Sequence, residues 1–353
     1  MKPPIIAFFN NKGGVGKTSL AYHLAWMYAD LGLRVVAADL DPQANLTAAF
    51  LSEERLEYLW PDGKHPKTIF GAIEPLTKGI GDIADPHLEL VEEGIQVYAD
   101  ISQQQLFYEQ SPIALLVGDL LLSGFEDSLS TEWPKCLDGD ERAFRVISAF
   151  WRIIQRAATQ HNADVILIDL GPNLGAINRA ALIAADYVAV PLAPDLFSLQ
   201  GLRNLGPTLQ KWRNGWGDRL ERAPADIDIQ LPEGSMQPIG YIVLQHAERL
   251  SRPIQAYGRW IARIPGEYRE HVLQEPGDDT IAIKNDPHCL ASLKHYRSLM
   301  PLAHEARKPM FHLKPADGAM GAHMQAVRGV EKDFQTLAAQ IARQTNIQFP
   351  APQ

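Results

Sequence analysis

Three groups of residues in this sequence have the types and spacing that chemistry requires. The first is a glycine-rich run with two lysines, Asn10-Asn11-Lys12-Gly13-Gly14-Val15-Gly16-Lys17-Thr18. The second is a carboxylate pair two residues apart, Asp39 and Asp41, followed by Pro42-Gln43. The third is Asp169, at the end of the apolar run Val165-Ile166-Leu167-Ile168. Glycines let backbone N–H groups turn inward around a bound polyphosphate, and a helix that starts at the same place adds the positive end of its dipole. Lys17 is spaced to reach the outer phosphates and the Thr18 hydroxyl to bind Mg²⁺. A strict phosphate loop, G-x-x-x-x-G-K-[ST], has glycine where this chain has Asn11. Lys12 is a further cation, for which an ordinary phosphate loop has no use.

Those residues act together only if the surrounding elements bring them to one place. Ile5–Phe9 and Val35–Asp39 are short, apolar and β-branched, as buried parallel strands are. Further strands are expected at Ile95–Tyr98, Val165–Asp169, Tyr187–Val190, Ile239–Leu244 and Ile261–Ile264. Helical patterns fall between them, at Ser19–Leu31, Ala143–Gln160, Ala176–Ala184, Leu199–Asn214 and Arg252–Trp260. This alternation predicts an α/β fold, a mostly parallel twisted sheet with helices on both faces. Ligands of such sheets bind beyond the carboxyl ends of the strands. Lys17, Asp41 and Asp169 each lie at or just past such an end, so one site collects all three.

Lys12-Gly13-Gly14-Val15-Gly16-Lys17-Thr18 resembles the deviant phosphate loop of the ParA/MinD ATPases, in which Gln or Gly often stands at the position of Asn11. Val35–Asn45, with Asp39-Leu40-Asp41-Pro42-Gln43-Ala44-Asn45, is similar to the second motif of that family, D-x-D-P-Q-x-N. Val165–Pro172 is similar to its Walker B strand. Pro42-Gln43 fits the ParA branch better than the MinD branch. The likeness runs on from Pro191 to Leu202 and, more weakly, into the C-terminal third.

The resemblance implies roles residue by residue. Gly13, Gly14, Val15, Gly16, Lys17, Thr18 and Ser19 would bind ATP. Thr18 would ligate Mg²⁺ directly, Asp169 through a water, and Asp39 from the outer shell while reporting the γ-phosphate. Asp41 would orient or deprotonate the attacking water. Lys12 would reach across a homodimer to the nucleotide of the other subunit, as an arginine finger does. By rough alignment, Gln245 would read the adenine edge and Pro265 would lie against the ring. A Mg²⁺-dependent ATPase of the short, Soj-like type follows, slow without an activator, with no operator-binding segment before the loop. It would dimerise on ATP, bind DNA non-specifically and answer to a ParB-like partner while positioning DNA or another cargo. The alternative is a nucleotide-gated module of a secretion, synthesis or defence system with no DNA role. A reductase on the same scaffold needs a cysteine pair at a dimer axis, which Cys136 and Cys289 do not resemble.

Composition narrows these expectations. The net charge of −9 argues against a wholly basic nucleic-acid binder. Residues 50–140 hold 18 acidic against 5 basic residues and would repel DNA, whereas residues 235–353 hold 14 basic against 11 acidic. The candidate DNA contacts are therefore Arg249, Arg252, Arg259, Arg263, Arg269, Lys294, Arg297, Arg307 and Lys308. Two separated cysteines exclude a disulfide scaffold and disfavour a zinc site. No apolar run approaches the roughly 18 residues of a membrane span. The chain enters a strand at once, without a visible signal peptide, so a cytoplasmic protein is expected, nucleoid-associated if it binds DNA. One domain over residues 1–353 is expected. Residues 50–142 are read as an acidic insertion or subdomain, with Leu115, Leu116, Leu120, Leu121 and Leu122 as core. Residues 327–345 form an amphipathic helix whose mixed polar face suits packing on the domain and not a membrane.

Overall fold

The computed structural model describes residues 2–91, 111–244, 254–278, 280–294, 296 and 298–351. Its centre is an eight-stranded sheet: β1 (Ile5–Phe8), β2 (Val35–Asp39), β3 (Glu89–Val91), β4 (Ile113–Leu116), β5 (Val165–Asp169), β6 (Tyr187–Leu192), β7 (Gln237–Leu244) and β8 (Cys289–Leu293). The spatial order is β3-β4-β2-β5-β1-β6-β7-β8. All pairings are parallel except β3 with β4, at the edge. The seven parallel strands end on the same side of the sheet, and β1 and β2 both lie against β5.

β1, β4 and the bodies of β2 and β5, up to the terminal Asp39 and Asp169, are apolar at every position because both faces are covered. Successive side chains point to opposite faces, so each strand feeds two cores. Ile5, Ala7, Val36, Ala38, Ile166 and Ile168 pack with Phe150, Ile153 and Ile154 of the helix Ala149–His161. Ile6, Phe8, Val35, Ala37, Val165 and Leu167 pack with Leu20, Leu24 and Tyr28 of the helix Lys17–Asp30. The C-terminal helix Ala322–Thr345 joins the second core through Phe334, Leu337 and Ile341. Tyr28 donates its hydroxyl to the Ala338 carbonyl across that contact, at 3.3 Å. Among the described residues no helix is long and apolar enough to cross a membrane.

Several elements differ from the sequence expectation. Ile261–Ile264 is not a strand; it lies inside the helix Ile254–Glu267. Ile264 and Tyr268 are four residues apart and both buried, a helical period that so short an apolar run cannot reveal. The strand that follows β7 is instead β8, and its brief Cys-Leu-Ala-Ser-Leu pattern is too mixed to stand out. The expected helix Ala143–Gln160 is two helices, Glu141–Ile147 and Ala149–His161. Ser148 at the join donates its hydroxyl back to the Phe144 carbonyl at 2.7 Å, a bond that bends helices. Leu199–Asn214 extends to Leu196–Leu220 because Asp195 caps it, accepting from the Ser198 amide at 2.9 Å. Ile95–Tyr98 lies outside the described residues.

The described residues of 50–142 contribute to the sheet itself. They supply β3 and β4, and β4 pairs with β2 from Val35↔Ile113 to Ala38↔Leu116. Leu115, Leu116 and Leu122 are buried, but Leu120 and Leu121 are 55% and 42% exposed where the chain leaves β4. Part of the acidic excess is held internally. Arg152 donates to both oxygens of Asp82, at 2.6 and 2.7 Å, and Arg55 forks onto Glu89 at 2.5 and 2.8 Å.

Candidate active site

The loop between β1 and the helix Lys17–Asp30 closes around its own lysine. Gly14 and Gly16 take the left-handed region, with φ of 69° and 78°. A Cβ on Gly16 would stand 2.8 Å from Leu244 Cδ1, a methyl that can move aside, so the left-handed backbone is what favours glycine there. No side chain caps the helix, which leaves its first amides for a bound anion. Lys17 is only 7% exposed and donates to the carbonyls of Asn10 and Lys12, each at 3.2 Å. Burial pushes its pKa down, while the charges of Asp169 and Asp41 oppose that shift. Ionic pull without a closed ion pair suits a lysine that must accept a phosphate.

Asp39 and Asp169 face each other in register on β2 and β5. Asp39 is fully buried and its pKa is driven well above the ordinary carboxylate range, by burial first and then by Asp169. Asp169 is raised too, by burial and then by Asp41, although the nearby Thr18 hydroxyl and Lys17 favour its charged form. Asp39 accepts from the Thr47 amide at 2.7 Å through one oxygen. Its other oxygen, and both oxygens of Asp169, are buried without a hydrogen-bond partner. Asp41 is 7% exposed, accepts from the Gln43 amide at 3.0 Å and lies against Gly171 at the exit of β5.

A divalent cation answers this arrangement. Three orphaned, buried carboxylate oxygens beside a hydroxyl are hard donors of the kind Mg²⁺ takes, with its remaining positions filled by water and phosphate. Thr18, Asp169 and Asp39 are the residues that fit it. No group of three His, Cys, Asp or Glu forms a closed metal cage among the described residues.

Two contributors escaped the sequence reading. Thr47 is fully buried, and besides its bond to Asp39 it accepts the Gly118 amide at its hydroxyl, at 2.8 Å. Gly118 follows β4, and a Cβ there would come within 2.8 Å of the Asp39 carboxylate. Thr47 lies just before the segment read as an insertion and Gly118 within it, and their link to Asp39 depends on β4 lying beside β2.

Lys12 is held within its own chain. Its ammonium pairs with Asp195 and lies 5.9 Å from the centre of the Phe197 ring. Of the adenine candidates, Gln245 lies outside the described residues, one position past Leu244. Pro265 is buried near the end of the helix Ile254–Glu267 and not after a strand, so the arrangement that suggested a base contact is absent. Among the basic candidates, Arg263 pairs with Glu267 at 2.8 Å, Arg269 with Asp286 at 3.1 Å and Lys308 with Asp317 at 3.1 Å. Arg259, Lys294 and Arg307 are exposed, and Arg249, Arg252 and Arg297 lie outside the described residues.

A family model described as an AAA domain, AAA_31, matches residues 3–221, which include the glycine-rich loop, Asp39, Asp41 and Asp169. The chain belongs to the ParA/MinD-type P-loop ATPase family. Within that family, Protein IncC of Escherichia coli is 29% identical over 230 residues, 63% of this chain and 50% of IncC. The chromosome-partitioning ATPase Soj of Thermus thermophilus is 28% identical over 216 residues, 61% of this chain and 65% of Soj. The chain thus spans half to two thirds of these relatives' length. Protein DIP2308 from Corynebacterium diphtheriae has the same fold, with a TM-score of 0.67 at 24% identity over 97% of this chain and 98% of that one. That likeness extends past residue 221, so β7, β8 and the C-terminal helix are part of the shared architecture.

Proposed function

We propose that this chain is a Mg²⁺-dependent ATPase that closes into a homodimer around two ATP molecules. The dimer binds DNA without reading its sequence, and a ParB-like or other partner stimulates hydrolysis to partition or position DNA or another cargo. The observation that carries the catalytic part is the set of orphaned oxygens on Asp39 and Asp169 beside a buried Lys17. Lys17 and the amides from Gly13 to Ser19 would bind the phosphates, and Gln245 remains the candidate for the base. Thr18, Asp169 and Asp39 would hold Mg²⁺, which when bound supplies neutralising charge to the β- and γ-phosphate oxygens. Asp41 would orient the attacking water and take its proton as the bond to the leaving oxygen breaks. Lys12 would add its cation to the partner's nucleotide, so the dimer lasts as long as ATP does. The partition role rests on the relatives, such as the chromosome-partitioning ATPase Soj.

A second reading, a nucleotide-gated module of a multiprotein system, gains from the neutralised basic residues. Arg263, Arg269 and Lys308 already have carboxylate partners, which leaves fewer cations for a phosphate backbone. One variant separates the two. With ATP and Mg²⁺, Asp41→Ala should be trapped as a dimer and retain duplex DNA in a salt-dependent way. A trapped dimer without salt-sensitive DNA retention would favour the module.

A further inference from the structure

Lys12 does not project freely from the loop. Asp195 divides its two oxygens between two tasks. Oδ1 accepts from the Ser198 amide at 2.9 Å and so caps the helix Leu196–Leu220. Oδ2 takes the Lys12 ammonium. The same loop segment is stitched to the β6 exit at further points. Asn10 is buried and donates through Nδ2 to the Pro191 carbonyl at 2.7 Å. Its Oδ1 accepts from the Lys12 amide at 2.9 Å. Gly201, in the second turn of the helix, lies against the side chains of Asn10 and Asn11. Leu196 and Phe197 flank the ion pair and are 50% and 72% exposed. The first half of the phosphate loop and the helix start therefore form one connected unit, with Lys12 directed into its own subunit.

We propose that Asp195 is a positioning residue that restrains Lys12 in cis in the nucleotide-free chain, so that breaking this pair sets the threshold for ATP-dependent dimer closure. The inference rests on the reading that Lys12 acts across the dimer. A lysine paired with Asp195 is not available to a second subunit's phosphates. A γ-phosphate carries more charge than one carboxylate and competes successfully only once a partner presents it. The Lys12 and Asp195 side chains are 25% and 31% exposed. A pair of that exposure is weak, worth at most about a five-fold change in an equilibrium. It therefore tunes closure without blocking it.

Asp195→Asn isolates the effect, because asparagine caps a helix as well as aspartate does but carries no charge. Asp195→Ser, a second good cap, guards against a variant that misfolds. Two measurements are needed on the full chain. The first is acetylation of Lys12 by N-hydroxysuccinimide acetate without nucleotide, followed by mass spectrometry. The second is the protein concentration for half-dimerisation with ATPγS and Mg²⁺, by sedimentation. Both variants should label Lys12 about two- to five-fold faster and dimerise at about two- to five-fold lower concentration, the range of such an ion pair. Unchanged labelling would show that the pair does not hold Lys12 and would overturn the restraint. Faster labelling with an equal or weaker dimer would also overturn it, by assigning the carboxylate no role or a role in the dimer contact itself. Lys12→Ala tells the two levels apart. If it dimerises with nucleotide as well as the parent chain, the trans-acting reading has failed, and the threshold role falls with it even where the labelling result stands.

Discussion

Neutralising Asp39 should stabilise the nucleotide-free protein while removing its activity. Asp39 and Asp169 lie in register on adjacent parallel strands, which run about 4.8 Å apart. Two charges at that separation repel by about 3 kcal/mol at the effective dielectric that describes protein sites. Partial protonation relieves some of this, so the recoverable stabilisation is on the order of 1–3 kcal/mol. Asp39→Asn keeps the acceptor for the Thr47 amide and turns an N–H₂ group towards Asp169. At about 2 °C per kcal/mol, a gain of roughly 2–6 °C in melting temperature is expected at pH 8 in EDTA. The dependence on pH has a definite sign. Both carboxyls have raised pKa values in the folded chain, so the folded state holds more protons than the unfolded one from about pH 4 into the neutral range. Stability from this pair is therefore present at acid pH and lost as pH rises through that window. The advantage of Asp39→Asn should grow from pH 6 to pH 8, and it should vanish with Mg²⁺ and ATP if, as proposed, Asp39 and Asp169 help to hold the cation. ATP turnover should fall if Asp39 is, as proposed, one of the carboxylates that hold Mg²⁺. A variant that melts at or below the parent temperature at pH 8 in EDTA would refute the reasoning, since the two carboxylates would then not be in conflict.

Two further outcomes follow from the same neighbourhood. Gly16→Ala places a side chain at φ 78° and against Leu244, so it should cost about 1–2 kcal/mol in denaturant titrations and abolish ATP binding by calorimetry; unchanged affinity would mean the loop tolerates a Cβ. His23, behind the loop, donates Nδ1–H to the Ser19 carbonyl at 2.7 Å and accepts the Met310 amide at Nε2 at 3.2 Å. Burial pushes its pKa down to about 4. The unfolded chain then binds the proton first, at about pH 6.5, and stability present above that pH is lost as pH falls, by about 1.4 kcal/mol per unit. His161 is pushed down to about 4 by burial as well, so His23→Gln should make this acid limb shallower between pH 6.5 and 4.5 by about 1.4 kcal/mol per unit without removing it, and an identical limb in the variant would refute the part given to His23.

The motifs of the candidate site could be read from the sequence because each one is local, although the three lie far apart along the chain. Gly14 and Gly16 announce a backbone that other residues resist, and Lys17-Thr18 follow them at a fixed offset. β1, β2 and β5 are buried on both faces and so are continuously apolar, which made them readable without alignment. The misreadings share a different cause. Ile261–Ile264 is too short an apolar run for its period to declare itself, and the helix was decided by Ile264 and Tyr268 finding the same buried face. β4 was not singled out as a strand in the segment read as an acidic insertion or subdomain, although its four apolar residues sit between β3 and β2. The basic residues were counted correctly but not their partners, because Glu267, Asp286 and Asp317 neutralise neighbours only through the fold.

Sequence by itself determined the chemistry on offer: a phosphate-binding loop, three carboxylates at strand ends and one lysine too many. Residue type and short-range spacing are enough for that, since a loop and the helix it starts are contiguous. Tertiary structure alone decided how those groups are poised. It set Asp39 opposite Asp169 with three oxygens unanswered, brought Thr47 and Gly118 to support them, and gave Lys12 to Asp195, 183 residues away. Strand order and burial create those juxtapositions, and charges acquire their pKa values and their partners from juxtaposition, not from sequence distance.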